Sequence, residues 1–252
     1  MRKTTSARRR TPIFIAHRGA SAVAPESTRA AIRAAAAAGA QMVELDVQMT
    51  RDIRLVIFHD NRLERTTNGS GRLAQARYPQ LARLDAGSWF HPRFTGERIL
   101  LVAEAVGFIP KPMRMNLELK RTTKRRVLLR RFVRLVDRLG IRNRLLVSSF
   151  DRALLRPLRR FGIASALLSR RDADRSLQDA IDLGCAAWHP FVNLVTPGRI
   201  RAAHAAGLRV HVWIVDDAVS ARRLARWGVD GVFTNDPARL KKALRQTYRQ
   251  RS

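Results

Sequence analysis

Cysteine occurs once in the 252 residues, as Cys185, so the chain can close no internal disulfide and build no cysteine-based zinc site. Acidic residues are scarce too: 20 Asp plus Glu stand against 49 Lys plus Arg, for a formal net charge of +29. Such a balance draws anions, whether phosphate esters, membrane surfaces or nucleic acid, and charge alone does not separate the three. Long apolar runs are also missing. No stretch approaches the roughly 18 residues needed to span a bilayer. The run after the basic segment Met1–Arg10 covers only Ile13 to Ala16 before His17-Arg18, too short for the apolar region of a secretory signal. The expectation is a soluble cytoplasmic protein with a basic disordered tail over residues 1–11.

What is present is enough apolar material, 46% of the chain, to bury the core of one large α/β domain over residues 12–252. The most informative stretch is Gln41 to Met49. Val43, Leu45 and Val47 alternate with Glu44, Asp46 and Gln48, the pattern of a β-strand. Glu44 and Asp46 then leave the same face about 7 Å apart. Two carboxylates so close repel one another, and a strand accepts them readily only when a cation or basic side chain neutralises them.

Upstream, Thr11 to Ala16 forms a short apolar strand with His17-Arg18-Gly19 at its end, where Gly19 permits a sharp turn and Arg18 can grip a phosphate. Pro25-Glu26-Ser27-Thr28 opens a helix with Ser27 as its expected N-cap. Ala30 to Ala38 favours helix, and Gly39 ends it. The resulting β-α-β unit argues for a parallel sheet. Downstream, Arg54 to Phe58 is a strand ending at His59-Asp60. The link from Val47 is too short for a parallel crossover, so these strands form an antiparallel hairpin. A turn centred on Asp52-Ile53 makes cross-strand partners sum to about 105 and sets His59 opposite Asp46.

Residues 60–98 carry turn signals and no long periodic element, and read as part of an insertion over about 48–98 that can cover a site. Helical periodicity resumes over Leu101 to Phe108. Met113 to Lys120 is a strand with Asn116, Glu118 and Lys120 on one face. A basic helix follows from Thr123 to Leu139. Eight parallel strands are counted, at 13–16, 42–47, 114–119, 145–149, 164–168, 185–188, 209–214 and 231–234. Eight β/α units in this length point to a TIM (β/α)8 barrel with a small insertion after the second strand. Sites in such barrels gather at the carboxyl ends of the strands. His17, Glu44, Asp46, Glu118, Lys120 and Trp213 fall there, and the hairpin adds His59. Three carboxylates on adjacent strands make a hard oxygen site suited to Mg²⁺ or Ca²⁺.

At this point the chain resembles the glycerophosphodiester phosphodiesterases. The resemblance is carried by Ala16-His17-Arg18-Gly19-Ala20, Pro25-Glu26-Ser27-Thr28, Glu44-Leu45-Asp46-Val47, Phe58-His59-Asp60 and Arg65-Thr66-Thr67-Asn68-Gly69. It continues in Leu117-Glu118-Leu119-Lys120, Ser148-Ser149-Phe150 and Val210-His211-Val212-Trp213, and spans about residues 12–240. It implies a barrel enzyme with a divalent cation, in which His17 and His59 are general acid and base and Glu44, Asp46 and Glu118 bind the metal. Arg18 and Lys120 then contact the phosphate, and Trp213 lines the glycerol pocket. The implied reaction is hydrolysis of a glycerophosphodiester to glycerol 3-phosphate and an alcohol, through attack by the glycerol 2-hydroxyl to give a cyclic phosphate that water then opens.

The chain departs from the family pattern at Ser27, where Asn is usual, and at Ile53, where Gly is usual and whose replacement should change the turn type. Leu100-Leu101 stand for a Pro-Thr pair, and Ile214 and Asp216 for Thr and Asn. Two other readings stand beside the leading one: a lysophospholipid-type phosphodiesterase at a membrane surface, and a non-catalytic anion-binding barrel. The intact set His17, Glu44, Asp46, His59 and Glu118 argues against the non-catalytic barrel, and nucleic acid is not the expected partner. A peripheral contact with anionic membrane is expected through the basic helix. His211 reads as a packed interior residue, His189, His204 and His91 as bystanders, and Cys185 as core.

Overall fold

The computed structural model describes residues 11–249, so residues 1–10 of the expected basic tail lie outside the described residues. Eight parallel strands close on themselves. They are β1 (Ile13–His17), β2 (Met42–Met49), β4 (Arg114–Leu119), β5 (Leu145–Ser149), β6 (Ser165–Ser169), β7 (Ala187–Pro190), β8 (Arg209–Val212) and β9 (Gly231–Thr234). Each pairs with the next, and β1 pairs with both β2 and β9, which seals the barrel. The ninth strand, β3 (Leu55–Ile57), pairs antiparallel with β2 outside the ring. The architecture is the expected TIM barrel.

The alternation in β2 sorts its side chains between two cores. Val43, Leu45 and Val47 pack outward among helix residues such as Ile32, Val102, Leu128 and Phe132. Met42 belongs instead to an inner cluster with Ile15, Leu168, Trp213 and Phe233. Glu44 and Asp46 share Met42's face and therefore point into the barrel mouth. Helices cover the outside: α1 (Arg29–Ala37), α3 (Val102–Phe108), α4 (Arg125–Leu139), α6 (Ala173–Asp182), α7 (Pro197–Ala205), α8 (Ala218–Trp227) and α9 (Pro237–Arg249), with single turns at α2 (Tyr78–Leu81) and α5 (Arg152–Leu155). Among the described residues no helix is long and apolar enough to cross a membrane.

Several local expectations shift. Thr28, not Ser27, caps α1: its hydroxyl accepts from the Ala31 N–H at 3.3 Å. Ser27 is committed elsewhere, its N–H donating to the Arg18 carbonyl at 2.9 Å with φ at 63°. Strand β7 begins at Ala187 rather than 185, because the Cys185 N–H still donates to Ala180 at the exit of α6. Strand β8 ends at Val212, and Trp213 follows as an isolated bridge to Phe191. Gly19, at φ 82°, meets α1 so closely that a Cβ there would lie 2.6 Å from that of Ala31.

The hairpin register differs by one residue from the expected one. Val47 pairs with Ile57 and Met49 with Leu55, so partners sum to 104 and Phe58, not His59, stands opposite Asp46. The cause is a three-residue loop, Arg51 to Ile53, closed by the Thr50 N–H on the Arg54 carbonyl at 3.0 Å. Ile53 takes φ 63°. The turn thus keeps the left-handed residue that a glycine would supply, instead of changing type, at the expense of a strained β-branched side chain.

The insertion has its own apolar cluster, in which Phe58, Leu63, Leu73, Leu81 and Ile99 pack together. Buried Asp85 ties its loops, accepting from the N–H groups of Gly87 (2.9 Å), Ser88 (2.7 Å) and Gly96 (2.5 Å). Glu97 then fastens the insertion to the start of α1 through the Ala30 N–H at 3.3 Å. Burial alone would raise the Asp85 carboxyl, but the N–H groups of Ser88, Gly96 and Gly87 hold it well below the usual carboxylate range. Its stabilisation is therefore complete above the unfolded-state value of about 4 and is lost as pH falls below it. Asp85→Ala should cost about 2 kcal/mol or more in urea unfolding at pH 7, because three donors lose their acceptor. The variant should also lose less stability than the parent on acidification.

Candidate active site

The strand registers assemble the carboxylates. His17 pairs with Glu44, Glu44 with Asn116 and Asp46 with Glu118 across β1, β2 and β4. Glu44, Asp46 and Glu118 accordingly offer oxygen atoms all within 4.8 Å of one another. Glu44 and Asp46 are 3% and 1% exposed, so these charges have almost no solvent to share. Two cations face them. The Lys120 Nζ lies 2.9 Å from Glu118 and 3.2 Å from Asp46, and the Arg18 Nε lies 3.5 Å from Asp46. The Arg18 N–H also donates to Glu44 at 2.9 Å. Arg18 reaches both because its backbone sits at φ 55°, a conformation uncommon outside glycine.

The electrostatics follow from this crowding. Burial, then Asp46 and Glu118, push the Glu44 carboxyl well above its ordinary value. Burial and Asp46 raise Glu118 to about 7, against the pull of Lys120. Burial would raise Asp46 as well, but Lys120, His59 and Arg18 hold it below its usual range. With Arg18 and Lys120 alone the cluster is under-neutralised, and one Asp46 oxygen is buried without a hydrogen-bond partner. Hard oxygen donors with a spare lone pair fit Mg²⁺ or Ca²⁺.

Both histidines line the pocket with the carboxylates, and both engage the same ring nitrogen with a side-chain oxygen. The His17 Nδ1 lies 2.8 Å from the Asn235 Oδ1, and the His59 Nδ1 lies 2.6 Å from an Asp60 oxygen. Each acceptor assigns the ring proton to Nδ1 and leaves Nε2 with a lone pair. Burial and then Arg18 lower the His17 ring to about 4. Burial also lowers His59, with Lys120 and Arg18 adding to it and Asp46 opposing.

Each imidazole is backed by a further shell. Asp216 accepts from both the N–H (2.7 Å) and the Nδ2 (2.6 Å) of Asn235, which fixes the amide so that its oxygen faces His17. Asp60 is held by the Arg65 Nε at 2.5 Å, and Arg65 also grips Glu26 with two bonds of 2.8 Å. Glu26 returns to Arg18 at 3.0 Å. Gln48, next on the inward face of β2 after Asp46, donates to the carbonyls of Phe58, His59 and Asp60 at 3.0, 3.1 and 2.7 Å. That crimp turns the chain inward, so His59 reaches the mouth although the register does not place it opposite Asp46.

All eight residues singled out in the sequence, His17, Arg18, Glu44, Asp46, His59, Glu118, Lys120 and Trp213, line one pocket. Trp213 forms its apolar wall with Phe150, edge to face at 5.7 Å, and Arg170 lies over the Trp213 ring at 5.4 Å. His189 and His211 form a buried pair, 3.0 Å apart, outside that lining. His91 and His204 lie outside it as well. Sequence reading missed Asn235, Asp216 as a support, Gln48 and Arg170. A signal existed for Asn235 and Arg170: each directly follows a parallel strand, the level where barrel sites form.

A closed parallel barrel with buried carboxylates, two oriented imidazoles and two cations at its strand ends is an enzyme built for an anionic substrate. The chain belongs to the glycerophosphoryl diester phosphodiesterase family, whose model matches residues 17–239. It is 32% identical over 241 residues to the glycerophosphodiester phosphodiesterase of Caldanaerobacter subterraneus, covering 93% of this chain and 98% of that one. The structure of an Oleispira antarctica phosphodiesterase in complex with the product sn-glycerol-3-phosphate superimposes with a TM-score of 0.88 at 31% identity, over 93% of this chain and 97% of that one. The glycerophosphodiester phosphodiesterase of Agrobacterium tumefaciens gives 0.79 at 27% identity, over 92% and 99%.

Asn235→Ala removes the acceptor that orients His17 without touching the pocket's charges. Steady-state kinetics on a glycerophosphodiester should show kcat reduced about 10–100-fold, the usual effect of losing such a support, with KM changed far less.

Proposed function

We propose that this phosphodiesterase hydrolyses glycerophosphodiesters to glycerol 3-phosphate and an alcohol with a divalent cation and paired histidines. The observation that carries the reading is that His17 and His59 both line the pocket of the three carboxylates, each with Nδ1 already engaged by a side-chain oxygen. One imidazole can then accept the proton of the attacking glycerol 2-hydroxyl while the other, protonated, donates to the departing alcohol oxygen, and water then opens the resulting cyclic phosphate to glycerol 3-phosphate with the two proton-transfer roles reversed. Glu44, Asp46 and Glu118 would hold Mg²⁺ or Ca²⁺, which would supply neutralisation of the charge building on the phosphoryl oxygens. Arg18 and Lys120 add fixed positive charge beside the same oxygens, and Trp213 with Phe150 gives the glycerol carbons an apolar wall.

Residues 12–252 act as a single domain in this reading, with the insertion over about 48–98 completing the mouth by delivering His59, Asp60 and Arg65. The enzyme works in the cytoplasm, and its basic flank keeps it near anionic membranes.

The test is hydrolysis of glycerophosphocholine, glycerophosphoethanolamine and lysophosphatidylcholine by the purified protein, with and without EDTA. The two glycerophosphodiesters should be cleaved, and the chelator should abolish turnover. Preference for the lysolipid would move the substrate class. Each of His17→Ala and His59→Ala should lower kcat by roughly 10²–10⁴-fold, the usual contribution of a general acid or base, with little change in KM. Glu44→Ala or Glu118→Ala that retained parental turnover in metal-stripped buffer would remove the cation from the mechanism.

A further inference from the structure

On the flank of the barrel lies a second groove, about 340 Å³, that shares no lining residue with the catalytic pocket. One wall is α4, where Arg131, Arg134 and Arg138 recur at three- and four-residue spacing and so share one stripe. The facing wall is the tip of the β2–β3 hairpin, which contributes Arg54. Between them the floor is apolar, made of Ile53, Leu55, Leu101 and Leu135.

The helix charges in this groove, Arg131, Arg134 and Arg138, have no acidic counterpart, whereas Arg54 lies over the Tyr78 ring at 5.9 Å and its charge acts on Asp52. No acidic side chain lines it, and no ion pair engages any of its four guanidinium groups among the described residues. The nearby acids are spoken for. Asp52 accepts from the Thr50 hydroxyl at 2.6 Å and the Tyr78 N–H at 3.0 Å. Glu104 accepts from the Leu101 N–H at 2.7 Å and the Tyr78 hydroxyl at 3.2 Å, and Asp137 pairs with Arg142. Like charges three and four residues apart on a helix repel each other, so an anion seated among them relieves a standing cost.

We infer that this groove is a docking site for the headgroup of an anionic phospholipid in a bilayer. A phosphodiester monoanion takes the guanidinium forks, and the glycerol and first methylenes lie on the aliphatic floor. The volume falls within the range of small-ligand sites. A membrane rather than a free ion is the occupant because the floor is apolar and because Lys124 at the N-cap of the same helix and Arg126 and Arg130 on it, all exposed, extend the positive field beyond the groove. This site does not depend on the hydrolytic reading, and it is read by binding alone.

The experiment is co-sedimentation of the full chain with vesicles of phosphatidylcholine alone or mixed with phosphatidylglycerol. Binding should require phosphatidylglycerol and weaken with salt. The variant R131Q/R134Q should lose roughly thirtyfold in partitioning, since each basic side chain near the surface contributes about 1 kcal/mol. K124Q/R126Q removes equal charge from the same helix outside the groove and should lose far less. Unchanged circular dichroism melting shows that both variants are folded. Equal losses in the two variants would replace the groove by a diffuse basic face. Binding independent of phosphatidylglycerol, or none, would overturn a membrane role. Release of bound protein by inorganic phosphate at constant ionic strength would make the groove a free-phosphate site instead.

Discussion

Three carboxylates buried against one another at the end of a barrel constitute the constraint on which the rest of the site depends. Left alone, such a cluster protonates or unfolds the strand that carries it, because repulsion and lost hydration act together. Here Lys120 bridges Glu118 and Asp46, while Arg18 uses its backbone N–H on Glu44 and its side chain on Asp46. The demand for positive charge explains why Arg18 adopts an uncommon backbone conformation and why Gly19 must follow it against α1. The spare lone pair on Asp46 marks where the demand is still unmet.

Orientation of the two imidazoles is solved twice by unrelated means. His17 relies on a chain from Asp216 through Asn235, residues that end or follow the last two strands of the barrel. His59 relies on Asp60, held by Arg65 from the insertion, and on the Gln48 crimp from the hairpin. The first relay belongs to the barrel and the second to the excursion. The insertion is thus part of the architecture of the pocket rather than a passive cover, and its anchoring by Asp85 and Glu97 bears on the site.

The departures from the family pattern become intelligible in this setting. Ser27 occupies a left-handed position that Asn tolerates well, and its buried hydroxyl has no partner. Ile53 keeps a glycine-like conformation rather than altering the turn. The Leu100-Leu101 pair loses a sequence signal for helix start, yet α3 begins on schedule because Glu104 turns back to the Leu101 N–H. Asp216, in place of the usual Asn, becomes the acceptor that fixes Asn235.

Periodicity in the sequence was sufficient to determine the barrel and the inward direction of Glu44, Asp46 and Glu118, because strand alternation is a local property of the chain. It also sufficed for the residues at strand ends, since a parallel barrel collects those ends at one mouth. The resemblance supplied the pairing of two histidines with three acids. Register lay beyond it: one residue in a turn decides whether sums are 104 or 105, and the cost of Ile53 at positive φ is settled by packing around the hairpin. The partners of the supporting residues were equally hidden. Asn235 lies 218 positions from His17 and Gln48 about a dozen from Asp60, and their contacts exist only because the barrel closes β9 onto β1 and the chain folds back on β2. The same is true of the flank groove, which Arg54 and Arg134 line together although they stand 80 positions apart in the chain. Which face a side chain takes is written locally, whereas which distant partner it finds there is decided by closure and packing.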